Sequence, residues 1–179
     1  MSFIIALVQF GTGICSFIFP LICIVLTAVA PGQHINCSKE QWKPMCTGKL
    51  QFNLAITHWF DPSQYNTLYV NIDILKAQSA VVFGELLLIL IGIGLIGART
   101  CLFMSKMESK GDLCLSISGV IIGLASAAGQ SFYAYGGYMS SEYVGFAVVD
   151  GWYVAAAGLA FTAAIHLVDS VLTCCRSHI

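Results

Sequence analysis

The sequence predicts a membrane all-α protein, a four-helix transmembrane bundle carrying a small extracellular antiparallel β-sheet, and three observations predict it. Only 9% of the 179 residues are charged and 58% are hydrophobic, whereas soluble domains carry roughly 25% charged residues. Four stretches stay apolar for long enough to cross a bilayer, which takes about 20 residues. Outside them, short segments alternate apolar and polar residues in the period-two pattern of half-buried strands. The net charge of −1 offers no basic field to nucleic acid. No phosphate loop, dinucleotide fingerprint or paired-cysteine zinc motif occurs, so neither a cofactor nor a metal is expected.

The chain reads as a single four-span membrane domain over residues 1–179, with spans at 3–30, 77–98, 113–135 and 152–174. The first span carries no charge. Its Ala28-Val29-Ala30 resembles a signal-peptidase site, but a signal peptide has a basic n-region and an apolar core of about 7–15 residues. This stretch has no basic residue and a far longer core, so it is expected to be retained as a helix. An even number of spans puts both termini on one side of the bilayer.

Basic residues do not settle which side. Arg99, Lys106, Lys110 and Arg176 on one side balance Lys39, Lys43, Lys49 and Lys76 on the other, and the positive-inside rule needs an excess. The segment NCSKEQWKPMC breaks the tie. The sequon Asn36-Cys37-Ser38 acts only in the secretory lumen, and a Cys37–Cys46 disulfide persists only in an oxidising compartment. Loops 31–76 and 136–151 are therefore expected to be extracellular. Loop 99–112 and both termini fall in the cytoplasm, in a multi-pass protein of the plasma membrane. Cys15, Cys23 and Cys114 lie within apolar spans, where cysteine behaves as a small hydrophobe. Cys101, Cys174 and Cys175 gather at the cytoplasmic edge, as palmitoylation candidates or as inert thiols.

The long first loop is expected to build the sheet. In KLQFNLAIT, Leu50, Phe52, Leu54 and Ile56 alternate with polar residues, and LYVNIDI repeats the pattern with Leu68, Val70, Ile72 and Ile74. Two antiparallel strands joined by a polar tip follow, with EYVGFAVV at residues 142–149 as a further strand. Trp42, Trp59, Phe60, Asp61 and Tyr65 are the partner-contact candidates of this loop, although its aromatics also suit the headgroup level of the bilayer.

Within the spans, Gly119, Gly123, Ala127 and Ser131 form one small-residue row and Ala156, Ala160 and Ala164 another, the kind of surface that lets lipid-embedded helices approach closely. Ionisable residues inside a membrane are functional candidates by default. Glu85 lies roughly 12 Å below the outer end of its span, with Gln130 at a similar depth as its expected partner. His166 and Asp169, three residues apart, share a helix face. These groups read either as interhelical hydrogen-bonding groups or as a proton path, and their separate depths favour the former. No nucleophile–base–orienter set is present, so no catalysis is expected.

Asn36-Cys37-Ser38 with Cys46, the alternating segments, and Tyr143, Gly145, Phe146 and Ala147 in EYVGFAVVDGW together resemble the claudin superfamily of four-span proteins. That group includes claudins, peripheral myelin protein, epithelial membrane proteins and channel gamma subunits. The chain departs from the claudins before its first cysteine, where Gln33-His34-Ile35 stands instead of Gly-Leu-Trp, and no residue maps onto a charged pore lining. The resemblance implies a left-handed bundle capped by a sheet, acting in cell–cell junction or adhesion contacts, in cis or in trans. The alternative is an auxiliary subunit of an ion channel or receptor. Partners are then the lipid bilayer and other membrane proteins, with a PDZ domain suggested by the terminal Ser177-His178-Ile179.

This topology predicts that Asn36→Gln abolishes a glycosidase-sensitive mobility shift. It also predicts that an impermeant maleimide labels Cys37 on intact cells only after reduction.

Overall fold

The computed structural model describes residues 2–31, 33–37, 54–60, 70–102, 109–138 and 145–177. Its elements in chain order are α1 (Ser2–Val29), β1 (Gln33–Cys37), a 3-10 turn (Ile56–His58), α2 (Ile72–Ala77), α3 (Ser79–Leu102), α4 (Ser109–Ala134), β2 (Gly145–Val149) and α5 (Asp150–Ser177). Four helices, counting α2 with α3, are long and apolar enough to cross a membrane. Each of α1, α3, α4 and α5 packs antiparallel to two neighbours, in the ring α1–α3–α4–α5 closed by α5 against α1. Both chain termini lie at one end of the bundle. The strands lie at the other, called here the cap end.

The inward faces follow one rule. In α1 the buried positions are Gln9, Gly13, Ser16, Pro20, Cys23 and Thr27, continued by Ala30 just past its end and spaced alternately by four and three residues. The same spacing recurs in α3 through Val81, Glu85, Leu88, Gly92, Leu95 and Arg99, and in α4 from Asp112 to Tyr133. In α5 it runs from Trp152 through Ala156, Leu159, Ala163, His166 and Ser170 to Thr173. Spacing of this kind averages 3.5 residues, the repeat that keeps a seam facing its partner under left-handed coiling. The occupants are small or polar, whereas the outward faces carry large apolar side chains such as Leu7, Phe83, Leu90, Ile121 and Val171. That is the polarity a lipid-solvated bundle requires, because lipid supplies no hydrophobic force to drive helices together.

Close approach comes from the small seam residues. A side chain on Gly92 would meet the backbone of Ser16 and Phe17 on α1 at 2.8–2.9 Å. This contact lies one turn from Pro20, which sits inside α1 and cannot donate to the Ser16 carbonyl. On the α4–α5 side, Gly123 meets Ala163 and Gly119 receives the ring of His166. The expected row Ala156, Ala160 and Ala164 does not form this contact: Ala156 is buried but Ala160 and Ala164 face outward. Four-residue steps overshoot the helical turn by roughly 40° each, so the row rotates out of the interface. Ala127 is buried and Ser131 half-buried, its hydroxyl donating to the Ala127 carbonyl at 2.8 Å.

At the cap end, Ala30 adopts a left-handed conformation (φ 48°) that ends α1, and the Gly151 N–H donates to the Pro31 carbonyl at 2.9 Å. β1 then pairs antiparallel with β2, from Gln33 opposite Val149 to Cys37 opposite Gly145. The sheet has two strands among the described residues, one of them within the expected 142–149 segment. The two alternating segments of the first loop do not form strands where they are described. Residues 56–58 make a 3-10 turn. Residues 72–77 make α2, whose N-terminus is capped by the Asn71 side chain accepting from the Ile74 N–H at 3.2 Å. An N-cap asparagine with an acid in the first turn (Asp73) outweighs the alternation. Residues 47–53 and 61–69 lie outside the described set.

The glycine contacts predict that Gly92→Ala destabilises the protein by about 1–3 kcal/mol through overpacking. Gly97→Ala, whose side chain would enter open space, should be neutral or slightly stabilising. Denaturation in micelles compares the two.

Candidate functional site

Near the terminal end, polar groups from the other three long helices converge on Arg99 of α3. Arg99 is 4% exposed and reaches across the bundle from α3 to Asp169 on α5, N to O 2.5 Å. It also donates to the Gln9 backbone carbonyl and to the Thr12 hydroxyl at 3.3 Å, and its Nε lies 3.7 Å from Asp112. Asp112 stands in the first turn of α4, where the helix dipole favours an anion.

Asp169 is saturated with donors. Thr12 donates to its Oδ1 at 2.8 Å, and Ser116 and Arg99 to its Oδ2 at 2.5 Å each. Thr173, whose hydroxyl donates to the Asp169 carbonyl, accepts from the Gln9 amide at 3.0 Å. A buried ion pair of this kind contributes little net stability against a well-packed apolar replacement, yet losing one partner strands a charge. Chemically the cluster ties helices together in a fixed register.

One turn toward the cap, His166 is fully buried against Gly119, and neither ring nitrogen has a hydrogen-bond partner. Beyond it the interior turns apolar: Leu88, Leu159, Ala127, Ala155 and Cys23 pack together. A second polar group follows. Glu85, 0% exposed, accepts from the Thr27 hydroxyl at 2.8 Å. Gln130 is not its partner, as expected from depth alone; it accepts from the Gln78 amide at 3.5 Å. Side-chain direction decides this, since Glu85 follows the seam toward α1. The two polar layers are thus separated by apolar packing, and His166 and Asp169 belong to a different layer from Glu85.

Above Glu85 lies an aromatic dome. The Trp152 indole donates to the Thr27 carbonyl at 2.9 Å. Edge-on to it stand Trp59 (6.3 Å), Tyr133 (6.5 Å) and Tyr138 (5.7 Å), with Leu54, Val70, Leu75 and Val149 filling the gaps. Trp59 therefore belongs to the core. It is fully buried, its indole donating to the Leu54 carbonyl at 2.6 Å, and it is not an exposed contact residue. Phe60 beside it is 62% exposed.

Trp42, Cys46, Asp61 and Tyr65 lie outside the described residues, as do the side chains of Asn36, Cys37 and Cys101. Cys174 and Cys175 are exposed on the last turns of α5. Among the described residues no group of three or more His, Cys, Asp or Glu side chains is placed to hold a metal ion. The residues missed in the sequence are Arg99, taken there as a loop cation, and the hydroxyls of Thr12, Thr27 and Ser116. For Arg99, Thr27 and Ser116 the signal was the four-three spacing, which carries them into the seam; Thr12 stands beside it.

No family model matches the chain, and no curated protein or solved structure is significantly similar to it.

The cluster predicts that Arg99→Ala costs about 3–5 kcal/mol by leaving Asp169 unpaired. Arg99→Lys should not restore the loss, lacking the planar fork that serves Asp169, Gln9 and Thr12 together. The double variant Arg99→Met/Asp169→Leu should lose less than Arg99→Ala, as read from unfolding midpoints in micelles.

Proposed function

We propose that the chain is a non-enzymatic, claudin-like membrane protein that acts by contact, presenting an extracellular cap for junction or adhesion contacts at the plasma membrane, with both termini cytoplasmic. The observation that carries this reading is the way the cap is fastened. Trp59 and Leu54 from the first loop and Val149 from β2 enter the same aromatic dome as Trp152 of α5. The extramembrane segments are therefore extensions of the helix core, a platform suited to docking. The interior supports the same conclusion: the Leu88–Leu159 layer interrupts the polar groups, leaving the outer surfaces as the places where the protein meets others.

The contact role has two forms, with a second copy in the same or an opposed membrane, or with a larger channel or receptor that the bundle accompanies. A cysteine pair at Cys37 and Cys46 and a glycan at Asn36 would mark the cap as extracellular. Acylation at Cys101, Cys174 and Cys175 would act at the cytoplasmic edge. Expression in cells without junctions tests the primary reading: the protein should concentrate where two expressing cells touch and be depleted where an expressing cell meets a non-expressing one. Even distribution, with a channel or receptor recovered in stoichiometric amount after gentle extraction, would replace it with the auxiliary role.

A further inference from the structure

Glu85 has one oxygen in use and one without a partner. Its Oε1 accepts from Thr27, whereas Oε2 is buried and makes no hydrogen bond. Three helices bring groups to this level of the bundle. α1 brings Thr27 and the thiol of Cys23, which is within electrostatic range of the carboxylate. α4 brings Ser126, whose hydroxyl sits against Gly84 on the adjoining residue of α3. α5 brings Trp152, bonded to the carbonyl of the same Thr27, and Ala155, which accepts from Cys23.

None of these is basic. The basic residues along α2 and α3, Lys76 and Arg99, stand roughly 13 and 21 Å away along the axis, and Arg99 is already paired with Asp169 and Asp112. A lone carboxylate inside a membrane bundle requires a compensating charge. The available ligands, the carboxylate and the Thr27 hydroxyl oxygen, are hard donors suited to a small hard cation.

We propose that Glu85, with Thr27, binds a monovalent cation, H+ or Na+, held between the Trp152 dome and the Leu88–Leu159 layer. The site is separate from the Arg99 cluster and does not depend on the contact role. Trp152 closes it on the cap side by fixing the Thr27 carbonyl, and the leucines close it on the other. Seating of the cap, through Trp59 on Trp152, is then linked to occupancy: what loosens the dome opens the site.

The test uses the full chain in lipid nanodiscs. Thermal unfolding is measured with NaCl exchanged for choline chloride at fixed pH, and separately across pH 5–8 in choline. The Na+ form of the proposal expects NaCl to raise the wild-type midpoint by about 5 °C at a hundredfold excess over the dissociation constant. The H+ form expects the response to acid alone. In either case Glu85→Gln should remove the response and Thr27→Val should weaken it. Comparison with Glu85→Gln isolates this carboxyl from Cys23, Asp112, His166 and Asp169.

A readout on wild-type protein covers a variant that does not fold. A hydrophobic carbodiimide, which attacks protonated carboxyls, should modify Glu85, and Na+ or raised pH should suppress the adduct at least tenfold by mass spectrometry. Equal midpoint responses in wild type and Glu85→Gln, or a Glu85 adduct indifferent to both Na+ and pH, would overturn the proposal.

Discussion

The pairing of Arg99 with Asp169 spans the diagonal of the bundle, and the register of all four helices follows from it. In water such a pair competes with solvent for every hydrogen bond. In a bundle whose outer surface faces lipid, no competing donor or acceptor is at hand, so the guanidinium and the carboxylate must satisfy one another and recruit the rest from their neighbours. That is why Thr12, Ser116 and the Gln9 carbonyl converge on the two charges. A slip of any helix by one turn would strand at least one of these groups in apolar surroundings. Register is therefore set by polar satisfaction, with the glycines allowing the backbones close enough for short side chains to reach.

The cap end is organised by a different force. Here the structure passes from lipid-facing helices to extramembrane segments, and apolar burial again contributes to stability in the ordinary way. Trp152 stands at the junction. Its ring receives Trp59 from the first loop, Tyr133 of α4 and Tyr138 just beyond that helix, and its N–H reaches the last turn of α1. One residue thus couples cap, bundle and the Thr27–Glu85 hydrogen bond, each link being a direct contact. The strand pair continues from the same place, since the Gly151–Pro31 hydrogen bond stands between the ends of α1 and α5.

The apolar layer between the polar groups separates what the two ends do. Leu88 and Leu159 are fully buried there, packed with Cys23, Ala127 and Ala155. The terminal end is consequently fastened by polar pairing and the cap end by aromatic packing.

Length and apolarity alone marked the four candidate spans, because a bilayer sets a minimum run of predominantly apolar residues and the structure forms a long helix over each of these stretches. The small residues Gly119 and Gly123 were likewise readable, since close helix approach in lipid has few other solutions. What tertiary structure decided were the partners. Glu85 turned to Thr27 rather than Gln130, Arg99 entered the core although it closes a span, and Trp59 went inward while Phe60 stayed out. The alternating segment at 68–74 became a capped helix from residue 72. Each of these depends on which side chain stands across a seam at the same depth, a relation between residues up to 164 positions apart, as for Gln9 and Thr173, that no local period encodes.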